Sequence, residues 1–173
     1  MKKFQIAVIG SGNILEDSEE YLLARKLGKR LVDKDFIILC GGLKGVMKAV
    51  CEGAKESKKY SYGQTIGILP SLDKSSANPF VDIKISTGMS NARNQIIIAS
   101  ADAVIVVRGG AGTLSEISYA WQMNKTIIAL KKSGGWAEKL ANSKIDGSRE
   151  DKIISASSVS DVLKYLEKIL IRQ

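Results

Sequence analysis

Short apolar runs rich in β-branched residues alternate along the chain with longer stretches in which large apolar residues recur every three or four positions. The runs at 4–9, 36–40, 65–69, 103–107 and 126–130 predict strands. Nearly every position in them is apolar, so helices must cover both faces of the sheet they form. Residues 81–85 alternate as an edge strand does, and 152–156 form a weaker candidate. Helical spacing predicts helices over 17–34, with Leu23, Leu27 and Leu31 in register, and over 45–56, where Val46, Met47, Val50, Cys51 and Ala54 share one face. Further helices are predicted over 90–100 and over 113–123, the latter carrying Leu114, Ile117 and Trp121. In the last helix Val159, Val162, Leu163, Leu166, Ile169 and Leu170 follow the i, i+3, i+4, i+7 pattern. Ser158, with Asp161 three residues on, predicts where it starts.

Strands alternating with helices imply a parallel sheet between two helical layers. The expected fold class is therefore α/β: a Rossmann-like doubly wound parallel sheet of three layers, forming a single domain over 1–173. A length of 173 residues agrees with one unit at about 150 residues per domain. No internal repeat interrupts the pattern. The polar stretches at 71–80 and 142–151 are expected to rim an active site.

Composition narrows the chemistry. The chain has no histidine, which excludes Ser-His-Asp and Cys-His triads and imidazole metal ligands. Reaction chemistry is left to carboxylates, arginine, lysine, hydroxyls and backbone N–H groups, and no metal ligands are expected. Lys plus Arg number 26 against 18 Asp plus Glu, a net charge of +8 that favours an anionic small-molecule ligand. The basic residues occur only as pairs such as Lys2-Lys3 and Lys58-Lys59, without interleaved aromatics, so nucleic acid is not an expected partner. Cys40 and Cys51 lack ligand-like companions and read as reduced, buried thiols of a cytoplasmic protein. No stretch approaches the roughly 18 apolar residues of a membrane span.

Three predicted strands run into glycine-rich turns at the same sheet edge: Gly10-Ser11-Gly12, Gly41-Gly42-Leu43-Lys44-Gly45, and Arg108-Gly109-Gly110-Ala111-Gly112-Thr113. Glycines there let backbone N–H groups and a helix N-terminus approach an anion. Gly10, Ser11, Gly12, Gly41, Gly42, Lys44, Gly45, Arg108, Gly109, Gly110, Gly112 and Thr113 are the candidate phosphate-binding residues. The turns do not match an NAD fingerprint: Leu15 stands where a third glycine belongs, and no acidic residue closes the second strand. A P-loop is absent as well. Glu116, placed within the first turn of the predicted helix, and Arg93, opening the preceding one, are the candidate catalytic residues.

The stretch from Met89 to Glu116 resembles the Lonely-Guy (lysine-decarboxylase-like) family, whose hallmark is PGGxGTxxE preceded by an arginine. Gly109, Gly110, Gly112, Thr113 and Glu116 fall on that hallmark, and Gly41 to Met47 echoes the family's GGGxxGLM. The resemblance spans roughly residues 4–130. It implies a Rossmann-like homodimer or higher homo-oligomer that hydrolyses nucleoside 5′-monophosphates to base and ribose 5-phosphate. Glu116 would then steady an oxocarbenium-like transition state or activate water, and Arg93 would hold the phosphate or the ribose. No cofactor is required for that reaction. Arg108 replaces the hallmark proline, Asn94 the lysine after the arginine, and Leu43 a glycine. These departures are closer to a side branch that includes the molybdenum-cofactor carrier proteins, which bind an anionic pterin without converting it. The ligands implied are thus a nucleoside monophosphate or the molybdenum cofactor.

Overall fold

The computed structural model describes residues 3–171. Met1, Lys2, Arg172 and Gln173 lie outside the described residues, and with them the ends of the expected 1–173 span and one lysine of the first basic pair. Seven strands and six α-helices follow one another as β1 (Gln5–Gly10), α1 (Glu19–Asp33), β2 (Ile37–Cys40), α2 (Val46–Lys55), β3 (Thr65–Leu69), β4 (Ile83–Ser86), α3 (Arg93–Ala99), β5 (Ala103–Val107), α4 (Ala111–Gln122), β6 (Thr126–Leu130), α5 (Gly135–Leu140), β7 (Ile154–Ala156) and α6 (Val159–Leu166). All strands are parallel, in the order β4-β3-β2-β1-β5-β6-β7.

Period-two alternation within each strand assigns side chains to two cores. Ile6 and Val8 of β1, with Ile38, Cys40, Ile105 and Val107, pack beneath α1, α2 and α6. Ala7 and Ile9, with Leu39, Val104 and Val106, pack beneath α3, α4 and α5. The result is the three-layer, doubly wound single domain that the strand pattern predicts. Removing this apolar area from water, at about 25 cal/mol per Å², is the main force closing the layers. β4 takes the expected edge position, but the face is reversed: Ile83 and Ile85 are exposed, and Lys84 and Ser86 are the more buried positions.

The elements depart from expectation at their ends. The helix predicted from 90 opens as a 3-10 turn, Ser90–Ala92, before α3 begins. α4 begins at Ala111, two residues early, because Gly110 is its N-cap. The regular part of the last helix ends at Leu166 and continues as a π turn, Glu167–Ile171. α5 is six residues long, too short to show a helical period in sequence. The loop at 142–151 also departs: it caps the far end of α4 instead of rimming the crevice. Trp121 Nε1 donates to Asp146 at 2.8 Å, and Arg149 donates to the carbonyls of Trp121 and Lys125. Its polar side chains close the C-terminal end of a helix. Cys40 and Cys51 are free and wholly buried, their Sγ atoms 3.6 Å apart. Among the described residues no helix is long and apolar enough to cross a membrane.

Candidate functional site

β1 pairs with β2 on one side and β5 on the other, and the chain winds outward in both directions from it. The helix after β1 and the helix after β5 therefore lie on opposite faces, and a crevice opens beyond the carboxyl ends of these two strands. It holds a cavity of about 380 Å³, lined by Gly10–Asn13, Gly41, Met47, Asn91, Arg93, Asn94, Gly110–Thr113 and Glu116.

Ser11 knits the three glycine-rich turns together. Its hydroxyl accepts the Gly109 N–H at 3.1 Å and its carbonyl accepts the Val46 N–H at 3.0 Å. Gly45, at φ +63°, seats the second turn on the first: a Cβ there would overlap the carbonyl of Ser11. Gly10 similarly admits the carbonyl of Val107, Gly42 lies against Gly67 and Leu69, and Gly109 lies against Thr113. Gly110 and Gly112 differ. A Cβ on either would meet nothing within 4 Å, so the protein's own packing does not require glycine there. The open space beside them is the cavity.

α4 aims its N-terminus into this space. No side chain caps it, and its first turn carries no acidic residue. By contrast α1 and α6 are capped by Ser18 and Ser158 and carry Glu19, Glu20 and Asp161 in their first turns. α2, whose Met47 lines the same cavity, is also uncapped and free of acid in its first turn. The early start of α4 moves Glu116 to the second turn rather than the first. Complementing the helix dipole, strongest in the first turn, therefore does not explain that carboxylate.

Arg93 and Glu116 line the cavity together. Both are buried, Arg93 at 7% exposure and Glu116 at 8%. Arg93 donates from Nη1 to the Ile68 carbonyl at 2.7 Å, while its Nε is buried without a partner. Gly41 makes room for the guanidinium; a Cβ there would overlap it. Burial pushes the Arg93 guanidinium down from its ordinary value, opposed by the charge of Glu116. Burial likewise pushes the Glu116 carboxyl up to about 7, and the Arg93 charge only partly restrains it. The carboxyl makes no hydrogen bond with the described residues. Together the pair is a cation with an unused donor and a carboxyl titrating near neutrality, across a space edged by free amides. Such a set can hold a phosphate and orient or protonate a ring beside it.

Five candidates lie off this cavity's lining: Gly42, Lys44, Gly45, Arg108 and Gly109. The Arg108 side chain is held by an ion pair to Glu20 on α1, outside the cavity wall. Its turn is braced from behind, since Arg108 N–H donates to Ser133 Oγ at 2.7 Å and its carbonyl accepts the Ala137 N–H at 2.8 Å. Lys44 and Gly45 border a neighbouring cavity. Sequence reasoning passed over Asn94, which donates to Ser115 Oγ at 3.0 Å and ties α3 to the opening of α4. Its signal was adjacency to Arg93. Asn91 and Asn13 carried no signal of their own, and Met47 only its place in the second-turn motif and on the apolar face of its helix. Among the described residues no group of three or more His, Cys, Asp and Glu side chains is placed to hold a metal ion.

A family model for the SLOG cluster4 family matches residues 3–163 of this chain. An uncharacterized protein of Archaeoglobus fulgidus is 44% identical over 131 residues, covering 76% of this chain and 82% of the relative. The molybdenum cofactor binding protein of the phototrophic bacterium Rippkaea orientalis has a structure similar at a TM-score of 0.82 and 31% identity, covering 98% of this chain and 99% of that one. The molybdenum cofactor carrier protein of Chlamydomonas reinhardtii superposes with a TM-score of 0.80 at 29% identity, with 98% and 99% of the two chains covered.

Proposed function

This chain belongs to the SLOG cluster4 family, and we propose that within it the protein binds the molybdenum cofactor, a phosphorylated pterin, as a carrier. The observation that carries the reading is the uncapped head of α4, opening beside Gly110 and Gly112 into a cavity lined by Arg93 and Glu116. The residues present fit such a group. The first-turn amides of α4 and the Thr113 hydroxyl would hold the phosphate. Arg93 would donate to the pterin's ring carbonyl or nitrogens, and Glu116 would accept from its ring N–H groups. With no cluster of metal-ligating side chains among the described residues, the cofactor would be gripped by its organic part. When bound it would bring a molybdenum centre whose chemistry belongs to the enzyme that receives it. The relatives of Rippkaea orientalis and Chlamydomonas reinhardtii support this reading over hydrolysis.

The buried Glu116 beside Arg93 favours the second reading, cleavage of the N-glycosidic bond of a nucleoside 5′-monophosphate. One experiment separates the two. Purified protein is mixed with the cofactor, passed over a desalting column and assayed for retained pterin, then for reconstitution of a cofactor-free molybdenum enzyme. Retention and transfer are expected, while incubation with AMP, GMP, CMP and UMP is expected to release no base. Base release that disappears in Glu116→Ala, without pterin retention, would reverse the order of the two readings.

A further inference from the structure

Beside the first cavity lies a second of about 820 Å³, and the two share Gly12 and Asn13 as a common wall. One side is the turn from Leu43 into α2, and the other is formed by residues 75–79. That second wall is held in place by Asn78, which is 6% exposed. Its side-chain amide donates to the carbonyls of Gly42 at 3.1 Å and Leu43 at 2.9 Å, and its backbone N–H donates to Gly42 at 2.8 Å. One side chain thus clamps the 71–80 loop onto the β2–α2 turn and fixes the cavity's shape.

This second cavity combines lysine side chains, backbone amides and apolar surface. Of its two lysines, Lys48 is engaged by Glu16 at 2.5 Å. Lys44 makes no ion pair or hydrogen bond with the described residues. The backbone N–H groups of Gly12 and Asn13, on the shared wall, likewise donate to no acceptor among them. Ile14 and Leu43 add apolar surface. A ligand with a single phosphate at the head of α4 would leave this cation, these amides and the larger of the two spaces unused.

We infer that the second cavity receives a nucleoside, joined through a pyrophosphate to the phosphorylated group held in the first cavity. The first phosphate rests on the opening amides of α4, the second crosses the wall at Gly12 and Asn13, and Lys44 balances its charge. The added ring lies against Ile14 and Leu43. This polarity is not that of an NAD site, because α1, the helix such a site uses, begins behind Ser18 with Glu19 and Glu20. The inference rests on the reading of the first cavity as a phosphate site.

The test is calorimetric titration of the whole chain with AMP and with diadenosine pyrophosphate, in wild type, Lys44→Gln and the distant, exposed Lys164→Gln. The dinucleotide is expected to bind about tenfold tighter than AMP, a gain of about 1.4 kcal/mol from one charge-assisted contact. In Lys44→Gln that ratio falls toward one, while Lys164→Gln, which loses the same charge elsewhere, keeps it. Equal binding of the two ligands to wild type, or a preference that survives in Lys44→Gln, overturns the inference and leaves the phosphate site standing. If neither ligand binds wild type, the inference falls, and retention of the molybdenum cofactor decides the phosphate site separately.

Discussion

Replacing Glu116 with glutamine tests the electrostatics of the site without reference to any ligand. Burial lifts the carboxyl from an ordinary 4.5 to about 7. At about 1.4 kcal/mol for each tenfold change in proton affinity, holding it ionised in the fold costs about 3 kcal/mol. The folded state binds this proton more tightly than the unfolded chain. Its contribution to stability is therefore complete below pH 4.5, declines as pH rises, and is lost once pH passes about 7. About 2 kcal/mol of the loss should fall between pH 5 and pH 8. The chain has no histidine, so no other side chain with an unperturbed pKa titrates in that window. Urea unfolding of wild type and Glu116→Gln across this range measures the difference directly. Wild type should lie within about 1 kcal/mol of the variant at pH 5 and about 3 kcal/mol behind it by pH 8, with the gap flat beyond. A gap independent of pH would refute the reasoning, since it would mean that the carboxyl stays ionised throughout.

Arg93→Met removes the charge that restrains Glu116, so the carboxyl should titrate above 7; the pH midpoint of the same stability difference, measured against an Arg93→Met/Glu116→Gln double variant, reads it. Gly112→Ala should leave the melting temperature within about a degree, because a Cβ there meets nothing within 4 Å, yet weaken binding of the molybdenum cofactor at least about tenfold by filling the space its phosphate needs. Titration of both proteins with the cofactor decides it, and unchanged affinity would place the phosphate elsewhere. Asp82→Ala should cost about 3 kcal/mol in chemical unfolding, because the carboxylate accepts from Tyr60 at 2.6 Å and Gly63 at 2.9 Å and pairs with Lys55. A loss below about 1 kcal/mol would show the network to be dispensable.

The layered fold was legible because it is written in local periods. Strands apolar at every position can survive only between two helical layers, and strands separated by helices can pair only in parallel. The alternating 81–85 segment told its edge position in the same way. The hallmark glycines were legible as a group, but not what each one does. Gly41 looks like a ligand contact in sequence, and only the packed structure shows the guanidinium of Arg93 occupying its missing side chain. Ser11 reads as part of an anion turn, whereas its hydroxyl and carbonyl are spent holding the other two turns. Arg108 adds charge beside the loop in sequence, and a residue on another helix, Glu20, draws it away.

Local patterning by itself determined the order of layers, the edge at which the glycine-rich turns gather, and the absence of any imidazole chemistry. Tertiary structure alone decided that Arg93 and Glu116 share one buried space, that the carboxyl titrates near neutrality, and that a second cavity walled by Asn78 adjoins the first. The division has a physical cause. Periodicity is a property of neighbouring residues, whereas desolvation, charge coupling and unoccupied space depend on side chains brought together from distant parts of the chain.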